Sequence, residues 1–407
     1  MFFLEMAWGN LLRNRRRTLS TLLAIAIGVS MVILTNGVTG GISANMSDAL
    51  INQIDGHLHI QHRDYKKYFI TDQEKILIRD HRKLSAEIMK NPHVRAVMPR
   101  VMMGGLIGKD DKSTTFFGFG SDLSTLNNVL PDYGKNLVAG QALSADDPDG
   151  ILVGRALANS LGLRVGDELV LLSKTVHGDS SNALVHVRGV VTFPQDDILE
   201  KSLVFTGLEK TLRENLLDLG DGATQLVVRI DDIENVPLVE AELNRLFETQ
   251  GMPWRVTPWY DNAVFSRVVG MFGGIGKLIS IILVLMVGVI TSNALLMTFF
   301  ERIREIGTLR AIGMRKLDIY GLLYVESAIV GVAGALLGLA FGAALVMLGR
   351  HLGIPLGGIV HQEIRPVLSA ASLALSVAAP IVCIIVAAAI PIRAVSRMSV
   401  IESLNHH

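Results

Sequence analysis

Four apolar runs, each long enough to cross a bilayer, constrain this chain more than any other feature. A helix needs about 20 predominantly apolar residues to span the hydrocarbon core, and residues 19–38, 278–300, 322–348 and 368–390 meet that length. The first and fourth runs are uncharged, the second has Lys277 at its edge, and the third holds Glu326 near its start. Half the chain is hydrophobic and only 19% is charged, which excludes an ordinary soluble multidomain protein, a disordered chain, collagen and a coiled coil. The single cysteine, Cys383, lies inside the fourth run beyond Pro380, so no intrachain disulfide or Cys-based zinc site is available.

Basic residues near the ends of spans set orientation. Arg13, Arg15, Arg16 and Arg17 precede the first span, Arg302, Arg304, Arg310, Arg315 and Lys316 lie between the second and third, and Arg393 and Arg397 follow the fourth. The opposite side offers only Arg350 and Arg365 between spans three and four. Both termini and the 301–320 loop are therefore expected in the cytoplasm, and residues 41–266 outside. The charge split agrees: residues 41–266 carry 23 Lys and Arg against 31 Asp and Glu, and the rest carries 15 against 7. The first apolar run exceeds the roughly 7–15-residue core of a signal peptide, so it is expected to stay as an anchor.

The expected organisation is an amphipathic cytoplasmic helix (1–18) followed by transmembrane helix 1 (19–40). An extracytoplasmic α+β core domain (41–266) comes next, then transmembrane helix 2 with its stalk (267–300). A cytoplasmic helix loop (301–320), helix 3 (321–349), an outer loop (350–367), helix 4 (368–391) and a cytoplasmic tail (392–407) complete it. Within the large domain, short β-rich runs at 58–61, 96–103, 115–120, 169–173, 183–192 and 225–230 are bounded by Gly, Pro or Asp. Helical periodicity covers 73–89 and 239–248, and 154–161 reads as a short helix. Strands with interspersed helices favour α+β over repeating βαβ. A mostly β lobe near 110–215, inserted into a lobe made of 45–109 and 216–262, is expected.

A P-loop needs a Gly, four residues, then Gly-Lys-Ser/Thr to wrap phosphates and reach magnesium. The nearest imitation, Gly276-Lys277-Leu278, lacks the hydroxyl and abuts a span; ATP and magnesium, if used, belong to another chain. No nucleophile elbow stands out. His57, His59 and His62 could seed a metal site, but a polar strand edge accounts for them better, and no metal is expected.

The loop between spans two and three is richer. Ile303, Ile306, Leu309 or Arg310, and Gly313 recur at near-helical spacing with charges on the other face. A plain positive-inside loop explains the arginines but not the alternating apolar residues or the paired Gly307 and Gly313, so a helix that docks a cytosolic partner is expected. Gly334, Gly338 and Gly342, with Gly331 nearby, form a stripe that lets another helix approach closely, from this chain or a second subunit. Glu326 is expensive in lipid and should face protein or water, as a structural hydrogen-bond partner rather than a proton relay. The amino end alternates Phe2, Phe3, Met6, Ala7, Leu11 and Leu12 with polar residues, as an interfacial helix does.

Several stretches resemble the permeases of FtsX/MacB/LolE-type ABC transporters. They are Ala7-Trp8-Gly9-Asn10-Leu11-Leu12-Arg13-Asn14-Arg15-Arg16-Arg17-Thr18-Leu19, Arg304-Glu305-Ile306-Gly307-Thr308-Leu309-Arg310-Ala311-Ile312-Gly313, and Pro391-Ile392-Arg393-Ala394 with Val400-Ile401-Glu402-Ser403-Leu404. Ser399 stands where a proline is common. Gly150-Ile151-Leu152-Val153-Gly154-Arg155-Ala156-Leu157-Ala158, with Leu161-Gly162-Leu163-Arg164-Val165-Gly166-Asp167, resembles a MacB-like periplasmic core domain. The resemblance implies a non-catalytic permease subunit of the bacterial inner membrane. It also implies a second permease subunit, as homo- or heterodimer, and a cytosolic ABC ATPase dimer that carries ATP and magnesium. Arg304, Glu305, Ile306, Gly307, Leu309, Arg310, Gly313 and Met314 would couple to that ATPase. Gly56-His57-Leu58-His59-Ile60 with Tyr65 resembles the lipoprotein-releasing LolC/LolE branch, which implies lipoprotein or lipid cargo, with the bilayer and no nucleic acid as partner. MacB-like efflux with a periplasmic adaptor, which usually brings a fused ATPase, and FtsX-like signalling to a cell-wall hydrolase, usually through a smaller domain, are the alternatives.

Overall fold

The computed structural model describes residues 6–7, 9–10, 13, 15–69, 71–192, 200–208, 216–261, 263–355 and 363–396. The Val400–Leu404 motif, Ser399 and the residues Phe2, Phe3, Trp8, Leu11, Leu12 and Asn14 lie outside them. The chain divides into two units: residues 1–45, 269–356 and 362–407 form one, and residues 46–268 with 357–361 the other.

The first unit is helical. Among the described residues four helices are long and apolar enough to cross a membrane: α1 (Arg15–Leu50) and, after the domain between them, α7 (Ala263–Glu301), α9 (Lys316–Leu352) and α10 (Ala370–Ser396). A short helix, α8 (Ile303–Ala311), links α7 to α9. Ile25, Val29 and Ile33 of α1 meet Val287 of α7, Val330, Ala335 and Val346 of α9, and Ile384 of α10 in one core. Between helices in lipid, polar side chains act as ties: Asn36 donates to the Ser376 hydroxyl at 2.8 Å and accepts from the Ser280 hydroxyl at 2.7 Å, joining α1 to α10 and α7.

The second unit is α+β. Its strands are β1 (Leu58–His62), β2 (Val94–Lys109), β3 (Lys112–Ser121), β4 (Leu137–Gly140), β5 (Gly150–Gly154), β6 (Glu168–Lys174), β7 (Ser180–Val191), β8 (Leu203–Gly207), β9 (Gln225–Ile230) and β10 (Trp254–Pro258). Its helices are α2 (Tyr65–Tyr68), α3 (His81–Ile88), α4 (Leu123–Val129), α5 (Arg155–Leu161) and α6 (Val236–Thr249). The sixteen-residue β2 belongs to two structures. Its first half completes an antiparallel four-stranded sheet in the order β10-β1-β9-β2. Its second half pairs with β3 on one side and β6 on the other, and the ring β2-β3-β8-β5-β7-β6 closes on itself. Gly105 permits the closure, because a Cβ there would sit 1.9 Å from the Leu172 carbonyl oxygen.

Each half has its own core. Ile60, Leu226, Val228 and Val256 of the open sheet pack under Leu84 and Ile88 of α3 and Val239, Leu243 and Phe247 of α6. Val101, Ile107, Phe116, Val153, Val185 and Val204 fill the barrel with Leu157 and Leu161 of α5.

Two expectations need correction and one a small adjustment. The 73–89 segment is not one helix: a 3₁₀ turn at Gln73–Ile76 precedes α3, because Ile78 leaves the helix to bridge Ala223. The short helix expected at 154–161 is present as α5, with its start moved by one residue because Gly154 both ends β5 and caps the helix. The two lobes do not part near residue 110; they share β2, and the division falls within that strand near Arg100.

Candidate ATPase-coupling site and its anchor

The α8 segment is short because its sequence stops it at both ends. Arg302 breaks from helical geometry after α7, and Gly313, with φ of +109°, sits in the left-handed region that favours glycine before Arg315 opens α9. Ile303, Ile306 and Gly307 are buried. The two isoleucines pack with Leu295 and Phe299 of α7, Ile319 and Leu323 of α9, and Ala388 and Ile392 of α10, with Met314, Tyr320 and Tyr324 at the edge. Helical spacing then turns Arg304, Glu305 and Thr308 outward. Leu309 and Arg310 are half-buried, Gly313 is exposed, and Ile312 and Leu317 leave 80% and 79% of their surface uncovered.

Glu326 anchors this arrangement. It is 3% exposed, and Arg302 Nη1 donates to both its carboxylate oxygens, at 3.1 and 2.9 Å. Asn10 donates to the same carboxylate at 2.7 Å. Arg302 also bonds Glu305 through Nε at 3.1 Å, and Arg13 pairs with Glu305. Residues before α1, at the α7–α8 junction, within α8 and inside α9 thus form one chain of charge-assisted bonds. Such a pair persists in a low-dielectric site only when both charges and their remaining bonds are satisfied. The sequence flagged Glu326 as a structural partner; its pairing with Arg302 and Asn10 joins positions 24 and 316 residues apart and had no local signal.

The glycine stripe has a partner within the chain. Added Cβ atoms at Gly334, Gly338 and Gly342 would meet Ile25 at 2.7 Å, Val29 at 2.7 Å and Ile33 at 3.0 Å, so α1 lies along the stripe. Gly331 faces Ile384 of α10 instead, at 3.1 Å.

The histidine run takes three different environments. His59 Nε2 lies 2.6 Å from the Asp55 carbonyl oxygen and 3.2 Å from its carboxylate. His57 Nδ1 accepts from the Ile230 amide at 3.4 Å. Burial, then the nearby Arg229, push the His57 imidazole down to about 4 against the opposing pull of Asp231 and Asp232. His62 meets Trp254 edge to face at 5.9 Å.

Family comparison agrees with this architecture. Residues 18–246 match the model of the MacB-like periplasmic core domain, and residues 277–400 match the FtsX-like permease C-terminal model. The lipoprotein-releasing system transmembrane protein LolC of Neisseria meningitidis is 26% identical over 379 residues, covering 87% of this chain and 84% of that protein. LolC of Xylella fastidiosa is 23% identical over 354 residues, with coverage of 82% and 79%. The macrolide export ATP-binding/permease protein MacB 2 of Aeromonas hydrophila is 24% identical over 346 residues, which cover 82% of this chain but 51% of that protein. With its four apolar helices and the α+β domain between the first two, the chain belongs to the MacB-like periplasmic core domain family and is an FtsX-type ABC transporter permease, a multi-pass inner-membrane protein.

Proposed function

We propose that this permease is a non-catalytic subunit of a lipoprotein- or lipid-releasing transporter, driven by a separate cytosolic ATPase that holds ATP and magnesium. Membership in the family implies work with an ATPase and a second permease subunit; the docking surface on this chain is the outward side of α8. The observation that carries the coupling role is the geometry of α8: one side buried in the helical core, the other presenting Arg304, Thr308 and Ile312 at four-residue spacing. An element so held transmits a push to α7 and α9 rather than absorbing it. The cargo reading rests on similarity to LolC along most of the length of both chains. Efflux of a small molecule is the second reading, favoured by the 346 residues aligned with MacB 2.

Two measurements test this. Photo-crosslinkers placed in residues 19–40 and 41–60 during turnover should trap a lipid-modified polypeptide or lipid, identified by mass spectrometry; a peptide antibiotic recovered instead would favour efflux. Glu305→Lys should break the bonds to Arg302 and Arg13 and abolish cargo-stimulated ATP hydrolysis by the partner, while membrane insertion stays normal. Glu326→Gln should lower it several-fold by loosening Arg302. Full stimulation in both variants would remove α8 from the coupling role.

A further inference from the structure

The open sheet of the α+β unit has a second face that the helices α3 and α6 do not cover. Strand alternation places Ile60 and Val256 on the helix side, so their neighbours Gln61 and Arg255 point to the other. The register makes a continuous row across four strands: Arg255 opposite Gln61, Gln61 opposite Gln225, and Gln225 opposite Arg100. At about 4.8 Å per strand this row is roughly 14 Å long. It floors a cleft of about 480 Å³, whose rim carries Arg63 and Lys66 from the segment after β1 and Asp261 from the turn after β10.

The inner end of the row is already satisfied. Arg100 is 1% exposed; it donates to the Asp55 carboxylate at 3.0 Å and to the Ile54 carbonyl, and it stacks over Phe119 at 4.4 Å. With its amide oxygen turned toward Arg100, Gln225 accepts from Nη2 at 3.1 Å and from Nε at 2.7 Å. Arg100 is therefore a fixed, neutralised floor. The outer end differs: among the described residues no carboxylate lies within 4 Å of Arg63, Lys66 or Arg255. The neighbouring lysines contrast with them, since Lys75 pairs with Asp72 and both Lys67 and Lys75 sit over the Tyr68 ring.

Among the residues that line the cleft, three cations, Arg63, Lys66 and Arg255, therefore stand against one carboxylate, Asp261, while Glu240 of α6 acts on Arg255 from outside the lining. A carboxylate ligand would meet one of them bidentately and leave the others unmatched. A phosphate monoester carries a charge of about −1.5 to −2 and directs three oxygens to different donors, which suits cations arriving from two separate segments with the Gln61 amide between them. We propose that the outer end of this cleft, bounded by Arg255, Gln61, Arg63 and Lys66, binds a phosphate group. The group can come from a soluble phosphomonoester or from a lipid headgroup, and the test separates the two.

The full-length chain in maltoside micelles, in phosphate-free buffer, is titrated calorimetrically with sn-glycerol 3-phosphate and, separately, with dihexanoyl phosphatidic acid; succinate serves as the carboxylate control. Saturable binding of at least one phosphate probe is expected, with succinate at least tenfold weaker. Arg255→Gln and Lys66→Gln, both at exposed positions, should each weaken binding about tenfold with thermal unfolding unchanged. Equal binding of both phosphate probes identifies the headgroup chemistry alone as sufficient, and binding of phosphatidic acid alone identifies a lipid source. No saturable binding of either probe, equal binding of succinate, or indifference to both substitutions would overturn the proposal.

Discussion

At the scale of single residues, the α+β unit stores a proton-linked weakness at His57. The ring is buried beside β9, where its charged form is disfavoured, so its folded value of about 4 lies below the ordinary 6.5. Between those values the unfolded chain binds a proton that the folded chain refuses. Stability therefore rises with pH through this window, with a slope of at most one proton, or about 1.4 kcal/mol per pH unit, and the contribution is flat above pH 7. His57→Asn keeps an acceptor near the position of Nδ1, which takes the Ile230 amide, but cannot titrate. Urea unfolding followed by the fluorescence of Trp254 and Trp259 should show a shallower pH dependence in the variant between pH 4.5 and 6.5. Identical profiles would mean that other histidines carry the effect.

At the scale of elements, the glycines of α9 divide by what surrounds them. An added Cβ at Gly338 would lie 2.7 Å from Val29 and 2.8 Å from the Ala26 carbonyl oxygen, so α1 and α9 must separate to admit even a methyl group. At Gly321 nothing lies within 4 Å. Gly338→Ala should thus destabilise the detergent-purified protein by roughly 1–3 kcal/mol, whereas Gly321→Ala in the same helix should be neutral or stabilise by up to about 1 kcal/mol. Thermal unfolding of the two variants side by side checks this; equal melting temperatures would dissolve the distinction. This stripe, the four spans and the turned-out side of α8 were legible because lipid and helical period impose them on neighbouring residues. Other elements were not. Strand β5 is buried along its whole length between β7 and β8, so its Gly-Ile-Leu-Val-Gly run shows no alternation to mark it as a strand. The closure of β6 onto β2 depends on Gly105 meeting Leu172, a contact across 67 residues. The buried Arg100–Asp55 pair likewise joins strand and helix end with no spacing rule to announce it.

At the scale of the whole molecule, two helices outrun the membrane. At 1.5 Å per residue, the 36 residues of α1 and the 39 of α7 extend roughly 54 and 58 Å, against a hydrocarbon core of about 30 Å. Neither contains proline, so each is long enough to continue as helix well past the bilayer, as the proposed coupling from α8 would need. They differ in stiffness. The α1 glycines Gly37, Gly40 and Gly41 are demanded by packing, with Cβ positions 2.9, 2.5 and 2.5 Å from Val346, the Val367 carbonyl oxygen and the Arg365 carbonyl oxygen. Among the described residues, Gly270, Gly273 and Gly274 of α7 would bring an added Cβ within 4 Å of nothing, and each weakens the helix by about 1 kcal/mol relative to alanine. The uncrowded glycines make this stretch of α7 intrinsically easier to bend than the packed glycine stretch of α1, which bears on the coupling proposed above. The double variant Gly273→Ala/Gly274→Ala should therefore raise thermal stability while lowering ATP-driven cargo release several-fold, with basal hydrolysis by the partner ATPase retained. Release and hydrolysis measured together in proteoliposomes decide it: undiminished release from the stiffened helix would show that these glycines have no part in the proposed coupling.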